Sequence, residues 1–316
     1  MLILSEDEVE RLLELGELRV AMERALKELS AGRVTQPLRG VVRVEEHGGW
    51  FGLMPAVYGD VMGSKLVTVF PGNATRGLHT HNALIQLFRA ETGEPVAMMG
   101  GRVITALRTA AVSALATREL SDPGSRVLAI LGSGVQARTH YQALRLIRTF
   151  QETRVWSRTP QHAMQFAAEI GARAMSAEEA VRGADVIVTA TNSLEPVLRG
   201  AWLKQGAHVN AVGAIGPQAR EMDDQAMASA AIIVESREAA LHESGEIIQS
   251  GATIYADLGE ILAGTKPKPQ GRTTIFKSLG VAVEDIAAAK LAYEKASAEQ
   301  SSNEGGYPQK LSPVSI

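Results

Sequence analysis

Arg126-Val127-Leu128-Ala129-Ile130-Leu131-Gly132-Ser133-Gly134-Val135-Gln136-Ala137 is the stretch that decides the fold. The aliphatic run reads as a buried strand, the glycines as a tight turn, and the residues from Val135 onward as the start of a helix. G-x-G-x-x-A in that setting is a dinucleotide-binding fingerprint. The first glycine permits the turn, the second lets the backbone approach a pyrophosphate, and small Ala137 allows close helix–strand packing. Helix N-terminal amides then face the phosphates, so Gly132, Ser133, Gly134, Val135 and Gln136 are the expected cofactor contacts. The next strand, Thr153 to Trp156, runs into Ser157-Arg158-Thr159-Pro160 without a carboxylate to hold a ribose 2′-hydroxyl. Arg158 is a natural partner for a 2′-phosphate, with Ser157 and Thr159 as hydroxyl donors. NADP(H) is therefore expected in preference to NAD(H).

Working outward, Val186–Thr189, His208–Val212 and Ile232–Glu235 read as further strands. Helical stretches at Pro160–Ile170, Ala177–Arg182 and Met222–Ala230 separate them, which implies an α/β fold with a doubly wound parallel sheet. Upstream the character changes. Ser5 to Glu8 reads as a capping box, with Leu4 and Val9 placed for a hydrophobic staple. A second helix carries Leu18, Met22, Ala25, Leu26 and Leu29, with Gly32 as its stop. Short runs at 41–44, 50–54, 65–70, 83–88 and 96–99 predict an antiparallel or mixed sheet, the last two joined by a hairpin at 91–95. Val103 to Leu120 reads as an alanine-rich helix. From about Glu299 the composition turns to Gln, Ser, Asn, Gly and Pro, and a loose tail or arm is expected.

Composition sets the outer limits. The 316 residues favour two domains at roughly 100–200 residues each. With 45% hydrophobic and 21% charged residues, the chain has material for a sizeable core. Lys and Arg total 32 against 35 Asp and Glu, and that net charge of −3 argues against a phosphate-tracking nucleic-acid binder. The absence of cysteine excludes disulfides, thiolate metal sites and a cysteine nucleophile. The start of the sequence lacks a signal-peptide pattern, and no apolar run approaches the ~18 residues that span a bilayer. A cytoplasmic protein with no membrane partner is expected.

Three cations have apolar or backbone-punctuating neighbours: Arg39 after Gln36-Pro37-Leu38, Lys65 on a strand face with Val67 and Val69, and Arg108 within Ile104 to Ala111. A buried lysine or arginine is costly unless paired or working. Converging, the three would clamp a small carboxylate; apart, they would be snorkelling or structural ion pairs. His79 and His81 would share a strand face but lack a further ligand, which argues against metal. Gly259 to Lys266 lacks the G-K-[ST] order of a P-loop, and no G-x-S-x-G elbow occurs.

These residues together resemble the ornithine cyclodeaminase/mu-crystallin family, in its ketimine reductase branch. The likeness runs from about Leu4 to Ala296. It is carried by Gln36-Pro37-Leu38-Arg39, Ser64 to Thr68, Val103 to Ala114, Ile130 to Ala137, Gly183 to Ile187, Gly206 to Gly213, Glu243-Ser244-Gly245-Glu246 and Phe276 to Gly280. The resemblance implies a Rossmann-type domain at 119–294 and a discontinuous α+β domain at 1–118 plus 295–316, which binds substrate and forms a homodimer. It implies that Arg39, Lys65 and Arg108 serve the substrate carboxylate, with Lys65 and Arg108 catalytic. Arg108, Thr80, His81, Thr191, Val212 and Ser278 then fall at cofactor positions. Ornithine cyclodeaminases carry an aspartate soon after the Val-Gly pair. Here Val212-Gly213 is followed by no carboxylate until Glu221, so simple reduction of a preformed imine is the implied activity. The substrate would be a cyclic 2-imino carboxylate such as pyrroline-2-carboxylate or piperideine-2-carboxylate. The alternatives are an alanine or N-alkyl amino-acid dehydrogenase, an ornithine cyclodeaminase, and a non-catalytic NADPH- or hormone-binding protein.

Overall fold

The computed structural model describes residues 1–304. Period-two alternation builds the first half. It comprises β1 (Leu2–Leu4), α1 (Glu6–Leu12), α2 (Leu15–Ser30), β2 (Gly40–Val44), β3 (Gly49–Tyr58), β4 (Val61–Val69), β5 (His81–Arg89), β6 (Pro95–Gly100) and α3 (Arg102–Leu120). The strands form one sheet in the order β1-β6-β5-β4-β3-β2, antiparallel except where β1 lies parallel to β6. Met54, Val67, Ile85 and Leu87 point inward and are buried. The opposite face carries Val42, Leu53, Val57 and Leu84, exposed by 56, 38, 40 and 49%.

The second half alternates strands and helices. In chain order these are β7 (Val127–Leu131), α4 (Val135–Arg145), β8 (Glu152–Trp156), α5 (Pro160–Ile170), β9 (Arg173–Ala174), α6 (Ala177–Val181), β10 (Val186–Thr189) and β11 (His208–Ala211). There follow α7 (Asp224–Ser229), β12 (Ala231–Val234), α8 (Arg237–Glu243), α9 (Gly245–Ser250), β13 (Ile254–Asp257), α10 (Leu258–Leu262), β14 (Thr274–Lys277) and α11 (Ala282–Glu304). All eight strands are parallel, in the order β13-β12-β14-β11-β10-β7-β8-β9. Every residue of β10, β11, β12 and β14 is buried, as a parallel sheet covered on both faces requires. Strand order reverses between β7 and β10, and a crevice opens at the carboxyl ends of those strands.

Two helices tie the sheets together. Helix α3 is buried along most of its length, and its alanines let it approach α2 on one side and α4 and β11 on the other. Its N-cap is Gly101, which has no side-chain cap, so Glu6 supplies one from α1, accepting from the amides of Arg102 and Val103 at 2.9 and 2.8 Å. Helix α11 covers the inner face of the first sheet, packing on β3, β4, β5 and α2. The return to the first sheet thus begins at Ala282, ahead of the boundary expected at 295, because Val283, Ile286, Ala287 and Ala289 already bury apolar surface there. The helix also runs through Glu299, where a loose tail was expected; Arg11 grips the Glu299 carboxylate with two bonds of 2.8 and 2.9 Å. The rest of that expected tail lies outside the described residues.

Candidate active site

The crevice at the strand reversal widens into a cleft of about 620 Å³ between the two sheets. The turn after β7 forms one wall. Gly132 has a φ of +131°, and a Cβ there would lie 2.4 Å from the Ala190 carbonyl oxygen, so only glycine fits both conformation and contact. At Gly134 a Cβ would meet nothing within 4 Å: the backbone faces open space, as a cradle for a pyrophosphate must. Ala137 is fully buried against the sheet. Beside the turn, the Ser133 hydroxyl donates to that of Ser157 at 2.9 Å. Arg158 is exposed and makes no ion pair or hydrogen bond among the described residues. Val135, Gln136, Thr159, Thr191 and Val212 line the same wall.

The opposite wall belongs to the first sheet and α3. Thr80 and His81 line it from the start of β5, Arg108 from α3, and Ser278, Leu279 and Gly280 from the segment after β14. The register pairs Lys65 with Met54 and Ile85, which puts it on the inner face, and His81 opposite Val69 shares that face. Lys65 Nζ lies 2.7 Å from Asp285 Oδ2. Arg108 donates from Nε to Asp285 Oδ1 at 3.0 Å and from Nη1 to Glu284 Oε2 at 2.7 Å. Among the described residues its Nη2 has no acceptor, and this is the nitrogen left for a ligand. Both carboxylates stand in the first turn of α11, where the helix dipole favours negative charge. Gly280 precedes that turn at φ +73°, and a Cβ there would sit 2.4 Å from the Arg108 guanidinium.

Burial sets the protonation states. Desolvation lowers the Lys65 pKa to about 8 against the pull of Asp285. Desolvation, with Lys65 and Arg108 adding to it, lowers that of His81 to about 4, so His81 is neutral at pH 7. Burial disfavours the charge of Arg108, but Asp285, Glu284 and Glu235 outweigh it and hold its pKa above the usual value. Burial, then repulsion from Glu235, raises Glu284 well above the carboxylate range. Burial also works against the charge of Asp285, but Arg108 and Lys65 prevail and lower its pKa.

The three cations do not converge as one clamp. Arg108 reaches the cleft and Lys65 stands behind it, sharing Asp285. Arg39 is turned to the far side of the 278–280 segment, because its guanidinium is engaged elsewhere: Nε lies 2.7 Å from Glu243 Oε2, and Nη2 donates to the Leu279 and Gly280 carbonyls at 2.9 Å each. That segment is held from its other side by the buried Glu235, which accepts from Ser278 Oγ at 2.6 Å and from the Leu279 and Gly280 amides at 2.8 Å. Sequence reasoning missed every one of these carboxylate partners. A signal was present for the innermost pair: Glu284-Asp285 interrupts an otherwise apolar helical stretch from Val281 to Ala292.

Comparison with known proteins agrees with this geometry. The family model described as the ornithine cyclodeaminase/mu-crystallin family matches residues 1–300. Ketimine reductase mu-crystallin of Rattus norvegicus is 48% identical over 300 residues, spanning 92% of this chain and 96% of its own. The structure of Thermococcus litoralis Delta(1)-pyrroline-2-carboxylate reductase in complex with NADH and L-proline is 38% identical. It superposes with a TM-score of 0.90, covering 95% of this chain and 98% of its own. An archaeal alanine dehydrogenase dimer with bound NAD superposes equally well, with a TM-score of 0.90 at 34% identity over 95% and 97% of the two chains. The chain therefore belongs to the ornithine cyclodeaminase/mu-crystallin family.

Proposed function

We propose that this protein is an NADPH-dependent imine reductase that converts cyclic 2-imino carboxylates, such as pyrroline-2-carboxylate or piperideine-2-carboxylate, to the cyclic amino acids. The observation that carries the reading is a buried arginine, Arg108, with one free nitrogen facing a cleft whose other wall is a dinucleotide cradle. The residues present fit the cofactor: Gly134 leaves room for a pyrophosphate and Arg158 is an unpaired cation where a 2′-phosphate would lie. Bound there, the cofactor supplies a hydride. The chain's own contribution is to fix the acceptor carbon at near-attack distance by holding its carboxylate on Arg108, with Lys65 reinforcing the positive field.

Charge balance favours the protonated form of the imine. With Glu284 neutral, Arg108 and Lys65 are matched by Asp285 and Glu235. A ligand carrying both a carboxylate and an iminium adds no net charge to this dry floor, whereas a simple carboxylate adds an uncompensated one. An iminium is also the better hydride acceptor. Cyclodeamination lacks its carboxylate: Ile215 lines the cleft after Val212-Gly213 and is 44% exposed, while Glu221 is fully buried and occupied by Thr189, Thr191 and Gly213. The outward apolar face of the first sheet supports a homodimer formed through that face. Cross-strand neighbours Leu53, Leu66 and Leu84 make a continuous row on it.

The wild-type chain is expected to oxidise NADPH with pyrroline-2-carboxylate or piperideine-2-carboxylate faster than with pyruvate plus methylamine. Arg108→Lys keeps the charge but loses the fork, and kcat/KM should fall by about 10²-fold or more; comparable turnover in this variant would remove Arg108 from the mechanism. Arg158→Ala should weaken NADPH far more than NADH, narrowing their kcat/KM ratio by about tenfold or more, whereas equal losses would deny it the 2′-phosphate. Because Lys65 is charged below about pH 8, affinity for an anion should be full below that pH and decline as the group loses its proton. Titration calorimetry with pyrrole-2-carboxylate, which is planar and carries no reducible imine, should show Kd rising up to about tenfold per pH unit above that point. Sedimentation should report a dimer that Leu53→Asp converts to monomer; a monomeric wild type would refute the proposed interface.

A further inference from the structure

Glu221 touches no ligand and lies outside the cleft, yet it binds both strand ends that form the cleft's inner floor. Parallel strands β10 and β11 stop side by side at Thr189 and Ala211, and beyond them the ladder no longer pairs the backbone. The Glu221 carboxylate takes over. Its Oε1 accepts from the Thr191 amide and hydroxyl, both at 2.7 Å. Its Oε2 accepts from Thr189 Oγ1 and the Gly213 amide at 2.8 Å each, and from the Ala214 amide at 3.3 Å. The fit leaves no slack: a Cβ on Gly213 would lie 2.1 Å from the Thr191 carbonyl oxygen and 2.6 Å from Glu221 Oε1.

Glu221 is itself fixed. Its amide donates to Glu246 Oε1 at 3.0 Å, and its carbonyl accepts from the Val197 and Leu198 amides at 2.8 and 2.9 Å. The other Glu246 oxygen lies 3.2 Å from Lys277 Nζ, which donates to the Ala214 carbonyl at 2.6 Å. Glu221, Ala214, Lys277 and Glu246 thus close a ring, and the three ionisable members are fully buried. Burying that much charge is expensive, and bare amides could be satisfied by a hydroxyl or a water at lower cost. What an ionised carboxylate with two oxygens adds is a rigid spacing between two strand ends.

We propose that Glu221 is a positioning residue for the reaction: by fixing Thr191 and Gly213 it sets the surface on which the nicotinamide half of the cofactor rests, and so the line of hydride transfer. This rests on the reading of the cleft as an NADPH-dependent reductase site. A merely structural role would loosen the whole cofactor site, whereas a positioning role acts on the nicotinamide half alone.

The test uses two variants of the full chain. Glu221→Gln keeps the volume but turns an amide toward backbone donors; Thr189→Val removes one hydroxyl that lies outside the cleft. Adenosine 2′,5′-bisphosphate, which occupies only the adenosine half, should bind both variants within about twofold of wild type. NADPH, followed by its fluorescence, should bind Glu221→Gln about tenfold more weakly, with kcat lower by about 10²-fold. Thr189→Val should shift both in the same direction by a smaller factor. It carries the test if Glu221→Gln fails to fold. Weakening of both ligands by the same factor, or no change in kcat and NADPH affinity, would overturn the proposal. The binding arm needs no turnover, so a wild-type chain that binds NADPH without reducing any imine counts against the functional reading alone.

Discussion

The Asp285 carboxylate is the joint on which the rest of the molecule depends. One oxygen meets Lys65 from β4 and the other meets Arg108 from α3, while Asp285 itself rides in the first turn of α11. Three elements from distant parts of the chain are fastened at one fully buried group. Taking charges out of water costs several kcal/mol per ion, and removing one member of a buried pair typically costs about 3–5 kcal/mol because the other is left uncompensated. The network is therefore a poor way to gain stability and a good way to demand a single arrangement. Only the geometry in which all partners meet is tolerated, and that geometry leaves one nitrogen of Arg108 facing the cleft.

A second set of carboxylates works behind the walls. Glu235 and Arg39 hold the 278–280 segment from opposite sides, one by its amides and the other by its carbonyls. Glu221 does the same for the ends of β10 and β11. Neither segment is regular structure, so neither has a ladder to fix it, and each would otherwise be the softest part of the site. Acidic residues here act as backbone clamps rather than as acids.

The dinucleotide half was plain in the sequence because its signals are local. Strand, glycine turn and helix are contiguous from Val127 to Arg145, and the missing carboxylate after Trp156 is visible by inspection. Capping boxes and hairpins are equally local. The return point of the chain was not legible: β14 is four residues ending in a lysine, Thr274-Ile275-Phe276-Lys277, and nothing in such a short run says that it lies in the middle of a sheet. The cations themselves were found, since charge among apolar neighbours stands out. Their partners were not, because Lys65 and Asp285 are joined only by tertiary packing. Arg39 resembled its two fellow cations in sequence context, and only the position of Glu243 sends it to the other side of the segment.

Helix α11 follows every other element in the chain, and that order governs how the protein comes into being on a ribosome. Lys65 and Arg108 are synthesised long before Asp285 and Glu284, and the inner face of the first sheet is made long before the helix that covers it. Domains tend to fold in the order they emerge, but here the half that emerges first cannot be finished until the last. The parallel sheet can close around β14 while the nascent chain is still tethered. The first sheet must wait, its apolar face bare and its two cations without counter-charge, until the final helix is released. Interrupted synthesis would therefore yield a cradle without a floor, and a truncated chain should present itself to chaperones by its N-terminal half.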